Sequence, residues 1–430
     1  MSRYRTDDCS KISTELAVRH IAELIKTETN GRAYLVGGCV RDMKLYRNEI
    51  FIKDYDIEVF GVEPDELKRV LSSKFEIDLV GESFGIIKLK HYPIDISIPR
   101  RERKIGDGHR GFDVYSDPNM TMEEAANRRD FTINALYYDP LEDKTYDPTK
   151  RGLADLQNRS LNIISSRFKE DPLRVLRGMQ MIARFRLTPT GETISMCRTM
   201  TMEGLPQERI YDEFVKLFVK GETIAEALFF LKGVEWAKYF PGLDDTLGIC
   251  DFTRLKTMFS RFANERLSSP TKRVAVGFSL LLYRNPKRAE FLDMVVKESA
   301  VLKDIELISK TWAEAFNVCF QTLRGEDGTR NVLHLAQECK NILLLTNFLE
   351  IMFDMDCRYV NMEAARLMVI EHPPVPLFTG KDLISLGFKP GENFGLILDR
   401  MLNAQMNLSF KTHDEAVEYF KNNSKNILTK

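Results

Sequence analysis

A glycine pair between an apolar run and a helical pattern constrains this 430-residue chain more than any other feature. The apolar residues 34–36 predict a β-strand, and Gly37 and Gly38 interrupt it before a helical pattern over 40–45. Glycines let the backbone approach a bulky anion, and the free N–H groups of a helix N-terminus attract one. Arg41 falls in the first turn, where the helix dipole does not favour a cation. The segment therefore predicts a site for an external anion such as a triphosphate.

A pair of carboxylates follows this turn. Asp54 and Asp56 are two residues apart in a stretch, 52–60, that predicts a strand, so both side chains should project from one face. Adjacent carboxylates repel each other, and a divalent cation resolves the conflict. Mg²⁺ favours one or two carboxylates together with phosphate oxygens. Alone, the pair is more typical of a solvated strand, but with the upstream turn it predicts a metal-dependent nucleotide site.

Composition bounds the class of protein. A hydrophobic fraction of 43% and a charged fraction of 29% are typical of globular proteins, and the length predicts about two to four domains. The longest apolar run, 274–283, is too short to cross a bilayer, and residues 1–13 lack the apolar segment of a secretory signal. Seven cysteines without a Cys-x-x-Cys pair indicate reduced thiols, so we expect a cytoplasmic protein without a structural zinc site. Because the net charge is −1, any binding of nucleic acid must depend on a local concentration of positive charge.

Two segments downstream of the carboxylate pair carry further candidate groups. Residues 83–90 and 94–98 predict a β-hairpin in which Asp95 is a candidate third carboxylate, although a surface position at a strand start is equally consistent. Residues 99–115 contain basic side chains and glycines without hydrophobic periodicity, which predicts a mobile basic loop beside the phosphate site. A solvated charged loop is the alternative.

Polar residues surround an apolar stretch in the segment 128–138. Such groups are costly to bury unless they meet polar partners. Arg129 could bind phosphate, and Asp130 and Asn134 could hydrogen-bond a ribose hydroxyl. An internal ion-pair network of the same residues is the alternative.

Another polar cluster opens a predicted helix near Pro172, which suits the first helical position and makes Asp171 a natural N-cap. Arg174 and Arg177 lie three residues apart on one face of that helix. A carboxylate and a guanidinium match the exocyclic amine and the neighbouring acceptors of cytosine and of adenine, whereas guanine and uracil present a carbonyl that the carboxylate repels. An Asp171/Arg174 pair would therefore select C and A without a template. A purely structural cap is the rival role for Asp171.

Several segments, in order along the chain, resemble the bacterial and eukaryotic class (class II) of CCA-adding tRNA nucleotidyltransferases, which share a superfamily with bacterial poly(A) polymerases. These segments are 35–42, 53–56, 128–135, 170–177 and 207–210. The resemblance is specific over about residues 30–225 and returns in the segment 377–391. Over 240–370 it rests on helical periodicity alone.

The resemblance implies an α+β fold in which a small mixed β-sheet head is followed by all-α domains. The implied domains are a nucleotidyltransferase head at 1–150, a helical neck with the base-selecting helix at 151–225, a helical body at 226–370 and a tRNA-binding helical tail at 371–430.

The resemblance also implies roles for individual residues. Asp54 and Asp56 would hold catalytic Mg²⁺, with Asp95 as the candidate third carboxylate. The residues implied to bind the nucleotide are Gly37, Gly38, Arg41, Asp42, Arg129, Asp130, Asn134, Asp171, Arg174 and Arg177. Gly38 and Arg41 would hold the triphosphate, and the last three residues of the set would read and position the base.

The implied activity is template-independent addition of C, C and A to the 3′ end of tRNA from CTP and ATP, with release of pyrophosphate and Mg²⁺ as cofactor. Residues 100–112 resemble the flexible loop needed for the final A, which favours full CCA addition. Addition of CC only, addition of A only and poly(A) synthesis are the alternatives within the enzyme class, and a catalytically inactive RNA-binding protein is a remote one. We expect no membrane association and infer no obligate protein partner.

Overall fold

The computed structural model describes residues 13–46, 52–78, 85–104, 112–321, 325–391 and 393–428. The predicted α+β class is confirmed, because a mixed sheet near the start of the chain is followed by a largely helical remainder. The chain divides into two compact units. The first comprises Met1–Glu213 and Glu226–Tyr239, and the second comprises Phe214–Ala225 and Phe240–Lys430. The finer division into head, neck, body and tail stays a prediction.

Within the described residues, seven strands of the first unit form one sheet in the order β3-β4-β5-β2-β1-β8-β9. Strands β2 and β5 are parallel, and the other neighbours are antiparallel. Two two-stranded ladders, β6-β7 and β10-β11, lie outside this sheet. The strands are β1 (Arg32–Val36), β2 (Tyr55–Phe60), β3 (Ile77–Asp78), β4 (Ile86–Leu89), β5 (Ile94–Ser97), β6 (Arg100–Lys104), β7 (Phe112–Ser116), β8 (Tyr137–Asp139), β9 (Lys144–Tyr146), β10 (Ser160–Leu161) and β11 (Thr188–Pro189).

Helices occupy most of the remaining described chain. In the first part they are α1 (Thr14–Glu28), α2 (Gly38–Tyr46), α3 (Pro64–Ser72), α4 (Met122–Ala126), α5 (Gly152–Gln157), α6 (Leu173–Phe185), α7 (Gly191–Arg198), α8 (Gln207–Lys220) and α9 (Ile224–Gly233). The later helices are α10 (Leu243–Ile249), α11 (Phe252–Asn264), α12 (Pro270–Leu281), α13 (Arg288–Val295), α14 (Ser299–Gln321), α15 (Gly325–Cys339), α16 (Ile342–Phe353), α17 (Arg358–Arg366), α18 (Gly380–Ser385), α19 (Asn393–Met406) and α20 (His413–Leu428). Among the described helices, none combines the length and apolar character needed to span a membrane.

Strand β2 begins later than the sequence predicts. Its ladder with β5 starts at the pair Tyr55↔Ile94, and the Tyr55 N–H donates to the carbonyl of Pro93 at 2.9 Å. Asp54 therefore lies just before the strand rather than inside it. The boundary is set by where the partner strand begins, which local sequence does not reveal.

The predicted hairpin around residues 91–93 is confirmed, because β4 and β5 pair as antiparallel neighbours. The prediction of a basic loop over 99–115 is wrong at both ends of that segment. Strands β6 and β7 pair from Arg100↔Ser116 to Lys104↔Phe112, so a ladder of backbone hydrogen bonds organises a stretch without hydrophobic periodicity. Residues 105–111, the centre of that predicted loop, lie outside the described residues.

Apolar and aromatic side chains secure the sheet of the first unit. Tyr34, Phe60 and Tyr137 form mutual edge-to-face contacts, with ring centroids 5.9 to 6.4 Å apart. This is the geometry that aromatic quadrupoles favour. Helix α1, whose Ser13 cap accepts from the Leu16 N–H, buries Ile21 and Ile25 completely. The site-bearing strands β1 and β2 are thus anchored by a packed core.

A phenylalanine cluster forms the core of the second unit. The rings of Phe218 and Phe278 lie 4.9 Å apart, and Phe262 meets Phe218 at 6.1 Å. Helix α12 passes close to this cluster at Gly277, where a Cβ would lie 2.5 Å from Cδ1 of Phe218. Only a residue without a side chain fits at this crossing.

The last three helices have a core of their own. It contains the fully buried Leu383 and the nearly buried Phe378 and Phe420, whose rings stack with centroids 5.0 Å apart. The sequence predicts a small helical unit after the Pro-rich segment at 372–376, and the structure confirms its helical character.

The Gly277→Ala variant should lower the free energy of unfolding by about 1–3 kcal/mol, because the added methyl meets a ring that its neighbours hold in place. This cost exceeds the gain in helix propensity, which is about 1 kcal/mol. Gly395→Ala in α19 is the matched control, since a Cβ there meets nothing within 4 Å and only the gain in propensity remains. Urea unfolding of both variants tests this, and a Gly277→Ala variant as stable as the control would contradict the packing described.

Candidate active site

The glycine turn has the predicted strand–turn–helix geometry. Strand β1 ends at Val36, and α2 begins at Gly38. Gly37 adopts a φ of 80°, a left-handed conformation that side-chain-bearing residues rarely adopt. A Cβ at Gly37 would lie 3.4 Å from Nη1 of Arg129 and 3.6 Å from Oδ2 of Asp56. The turn, one carboxylate of the predicted pair and one arginine therefore meet at a single point.

Two carboxylates lie side by side on neighbouring strands, and Asp54 lies just before the first of them. Asp56 of β2 stands beside Asp95 of β5 in the parallel register, and Lys88 binds Asp95 at 2.8 Å. Burial raises the pKa of Asp56; the guanidinium of Arg129 opposes this shift, and the charges of Asp95 and Asp54 add to it. The site therefore concentrates negative charge that a cation would neutralise.

These carboxylates suit a magnesium ion bound together with a phosphorylated ligand. Over the described residues, no set of three or more His, Cys, Asp or Glu side chains converges closely enough to hold a metal ion by itself. Mg²⁺ is typically held by one or two carboxylates while water and substrate phosphates supply the other oxygens. Asp54 and Asp56 fit this pattern.

Arg41 is held firmly at the start of α2. Its side chain is 6% exposed, and its Nε donates to Oδ1 of Asp42 at 2.7 Å while its Nη1 donates to Oδ1 of Asn134 at 2.7 Å. Its guanidinium also stacks over the ring of Phe185, 4.1 Å from the centroid. The cation predicted at this helix terminus is thus oriented by groups from three parts of the first unit.

Asp130 is the centre of a buried network. Its Oδ1 accepts from the N–H of Phe131 at 2.7 Å and from the amide of Asn134 at 2.9 Å. Its Oδ2 accepts from Nε and Nη2 of Arg177, both at 2.7 Å. Burial would raise the pKa of Asp130, but Arg177 and these hydrogen bonds lower it to about 2. The structure therefore contains the internal ion-pair network that was the alternative role for these residues. Asp130, Asn134 and Arg177 also line the cavity described below.

The start of α6 arranges a carboxylate beside a guanidinium. Helix α6 begins at Leu173, so Pro172 rather than the predicted Asp171 stands at the N-cap position. Asp171 still binds the start of the helix, because its Oδ1 accepts from the Leu173 N–H at 3.0 Å, and its Oδ2 binds Arg209 at 2.8 Å. Arg174 donates to the carbonyl oxygens of Arg167 and Arg128, at 2.8 and 2.6 Å. Asp171 and Arg174 thus each bind other groups of the protein, and both line the cavity described below.

One cavity of about 360 Å³ brings the predicted residues together. Its lining comprises Gly37, Gly38, Arg41, Asp56, Arg128, Arg129, Asp130, Asn134, Asp171, Arg174, Arg177 and Arg209. Every residue of the predicted nucleotide-binding set except Asp42 lies in this lining. Asp54 and Asp95 lie outside it, although both act electrostatically on Asp56. The six arginines of the lining outnumber its three carboxylates, so the cavity suits a polyanion.

Three further residues at or beside the cavity were not predicted from the sequence: Arg128, Arg209 and Glu58. Arg128 and Arg209 both belong to the segments that carry the family resemblance, but no role followed from their positions. Glu58 follows Asp56 by two residues on β2, where it accepts from the Tyr137 hydroxyl at 2.6 Å and lies 3.6 Å from Nη2 of Arg129. The strand period could have indicated Glu58, because side chains two apart share a face.

Comparison with known families identifies the first part of the chain. Residues 33–162 match the poly A polymerase head domain. A multifunctional CCA protein of Aromatoleum aromaticum is 38% identical over 190 residues, which are 43% of this chain and 44% of that protein. One of Xylella fastidiosa is 39% identical over 191 residues, 42% of this chain and 43% of its own length. The aligned region thus spans less than half the length of these curated relatives.

Solved structures extend the likeness over nearly the whole chain. The CCA-adding enzyme of Bacillus stearothermophilus, in complex with CTP, matches with a TM-score of 0.73 at 19% identity, covering 96% of this chain and 100% of that one. The CCA-adding enzyme of Thermotoga maritima, complexed with tRNA, matches with a TM-score of 0.63 at 17% identity, covering 96% and 97%. The resemblance predicted from the sequence is confirmed: residues 33–162 match the poly A polymerase head domain, and the chain has the fold of the CCA-adding enzymes.

Proposed function

We propose that this protein is a tRNA nucleotidyltransferase that adds C, C and A in turn to the 3′ end of tRNA, from CTP and ATP, with release of pyrophosphate. The observation that carries the proposal is the single cavity in which the glycine turn, Asp56 and the start of α6 converge. A site of this composition can hold a triphosphate, an attacking hydroxyl and a base edge at the same time. The names of the relatives and structural neighbours given above support the same activity.

The glycine turn and its arginines hold the triphosphate. The N–H groups that open α2 face an anion without obstruction, because Gly37 and Gly38 carry no side chains. Arg41 and Arg129 are oriented by their own partners, so their positive charge is fixed before the nucleotide arrives. Such preorganised charge stabilises the developing negative charge of phosphoryl transfer.

Asp54 and Asp56 would hold Mg²⁺ beside the triphosphate, and Asp95, which stands beside Asp56, is bound to Lys88. When bound there, Mg²⁺ would neutralise negative charge and lower the pKa of the terminal ribose hydroxyl of the tRNA. The position of Asp56 next to Gly37 brings the metal-binding carboxylate to the phosphate-binding turn. The chain thereby aligns the hydroxyl and the leaving pyrophosphate.

Asp171 and Arg174 select the base. Each carboxylate oxygen has a lone pair left after its present hydrogen bond, so Asp171 can accept from the exocyclic amine of cytosine or adenine while it binds the start of α6. Arg174 supplies donors to the acceptor atoms beside that amine. The ion pair between Arg177 of α6 and Asp130 holds this helix in position. Asp130 and Asn134 form hydrogen bonds with the ribose hydroxyls in this proposal. A template is unnecessary because the protein itself presents the complementary edge.

The helical parts bind the tRNA in this proposal, with a neck at 151–225, a body at 226–370 and a tail at 371–430. Free thiols at Cys39, Cys197 and Cys319 support a cytoplasmic location, because cytoplasmic proteins keep their cysteines reduced. We infer no obligate protein partner.

Poly(A) synthesis is the second candidate, because the matching domain is described as a poly A polymerase head. The hairpin formed by β6 and β7 favours full CCA addition, since it occupies the segment that resembles the flexible loop needed for the final A. Product length separates the two functions.

Purified protein incubated with Mg²⁺, CTP, ATP and a tRNA lacking its terminal CCA should extend the RNA by three nucleotides. Gel analysis with single-nucleotide resolution measures the product, and CTP alone should add two. An unextended tRNA would contradict the proposal, and a long A tail would establish the poly(A) alternative.

Asp54→Ala and Asp56→Ala should each lower the rate of every nucleotide addition by on the order of a thousandfold, because the metal loses a ligand. Glu123→Ala, an exposed carboxylate of α4 outside the cavity lining, is the matched control and should retain full activity. Rates from single-turnover extension provide the measurement. Asp56→Ala protein that extends tRNA at the control rate would remove these carboxylates from the mechanism.

Asp171→Asn should alter base choice more than rate. The amide oxygen still accepts from the Leu173 N–H and preserves that contact, whereas the amide nitrogen can donate to the carbonyl of uracil. The ratio of kcat/KM for CTP to that for UTP should fall roughly 10- to 100-fold. An unchanged ratio, with all nucleotides slowed alike, would reduce Asp171 to a structural role at the start of α6.

A further inference from the structure

Two cavities that share lining residues lie in the second unit. They have volumes of about 300 and 180 Å³, and Tyr283 and Arg284 line both of them. The larger one opens between the residues that follow α12 and the middle of α14, and the smaller one continues toward α11. The family resemblance assigns no role to these side chains.

Three arginines face this pair of cavities. Arg284 lines both, Arg288 lines the larger and Arg254 the smaller. In the part of the chain that the structure describes, no carboxylate forms an ion pair with any of the three. Asp251 is the acidic residue of the two linings, and its Oδ1 accepts from the Thr253 N–H at 2.9 Å to cap α11. The surface therefore offers positive charge that the protein itself leaves uncompensated.

Aromatic rings stand beside these guanidinium groups. Tyr283 and Trp312 meet edge to face with centroids 5.4 Å apart, and both are partly exposed. Trp312 is backed by Phe353, whose ring stacks with it at 5.8 Å. A supported, partly exposed indole is a stacking platform for a nucleobase, and base stacking on such rings tolerates every base.

The loop that carries two of the arginines is fixed in place. Asn285, between Arg284 and Arg288, is 7% exposed, donates its amide to the Pro241 carbonyl at 2.9 Å and accepts from the Lys287 N–H at 2.8 Å. The carbonyl oxygen of this amide occupies the space beside Gly242 that a Cβ would need. The arginines are thus presented from a braced loop, which lowers the entropic cost of binding a ligand.

We propose that these cavities form a second nucleotide-binding site, with phosphate on Arg284 and Arg288 and a base against Trp312. Uncompensated guanidinium groups beside an aromatic platform are the combination that binds phosphorylated nucleotides. Two continuous cavities suit consecutive units of an RNA strand, and a free nucleotide has the same chemistry. The identification of that strand as tRNA rests on the proposed function, whereas the site itself does not.

Tryptophan fluorescence of the full chain tests this site without catalysis. The chain has two tryptophans, and Trp236 is 1% exposed in the first unit, so Trp312 is the accessible reporter. In buffer without Mg²⁺, a tRNA ending in CC should quench the emission saturably, and Trp312→Phe should abolish that change. Separate titrations with ATP and CTP show whether a free nucleotide also binds at this site.

The arginine variants make the test specific. The double variant Arg284→Ala/Arg288→Ala should weaken binding at least tenfold and should reduce the slope of log K against log salt concentration by about two, one per lost phosphate contact. The single variant Arg284→Lys keeps a positive charge at position 284 and should therefore bind more tightly than the double variant. Arg266→Ala, an exposed arginine of the same unit outside both linings, should change nothing.

Failure of this inference differs from failure of the proposed function. If neither tRNA nor nucleotide changes the Trp312 emission, or if the double variant keeps wild-type affinity and salt slope, the second site is refuted even when CCA addition proceeds. If quenching and its arginine dependence hold while no tRNA extension occurs, the second site stands and the proposed activity falls.

Discussion

The ion pair between the buried Asp130 and the partly exposed Arg177 joins the two halves of the candidate site. The same carboxylate binds Asn134, and Asn134 in turn binds Arg41 at the glycine turn. A continuous set of hydrogen bonds thus runs from helix α6 to the glycine turn. Without Arg177, the carboxylate of Asp130, which is 6% exposed, would stay buried without a compensating charge. The relative placement of the proposed phosphate and base subsites therefore depends on this pair.

The network also explains why so many arginines can share one cavity. Arg41 and Arg177 have charged or polar partners within the protein, so their mutual repulsion is compensated before any ligand binds. Burial lowers the pKa of Arg174, yet carbonyl oxygens accept its hydrogen bonds and it remains a cation. A triphosphate entering this cavity meets fixed donors rather than mobile side chains. Such preorganisation is the main way a protein stabilises phosphoryl transfer.

Local signals in the sequence predicted much of this arrangement. The strand, turn and helix around Gly37 and the contact of Asp171 with the start of α6 follow from backbone preferences that a few residues determine. The ladder of β6 and β7 and the true start of β2 were not predictable, because pairing with a distant strand decides both. Arg209 was missed for a similar reason: its contact with Asp171 joins residues 38 positions apart, and no local pattern reports such a distance.

The most direct test of the account is a crystal structure of the protein with Mg²⁺ and a non-hydrolysable analogue of CTP. The account predicts that the triphosphate lies against Gly37 and Gly38, that the metal binds Asp54 and Asp56, and that the cytosine edge faces Asp171 and Arg174. A triphosphate bound away from the glycine turn, or a base whose edge faces solvent, would contradict the central claim that these elements form one nucleotide site.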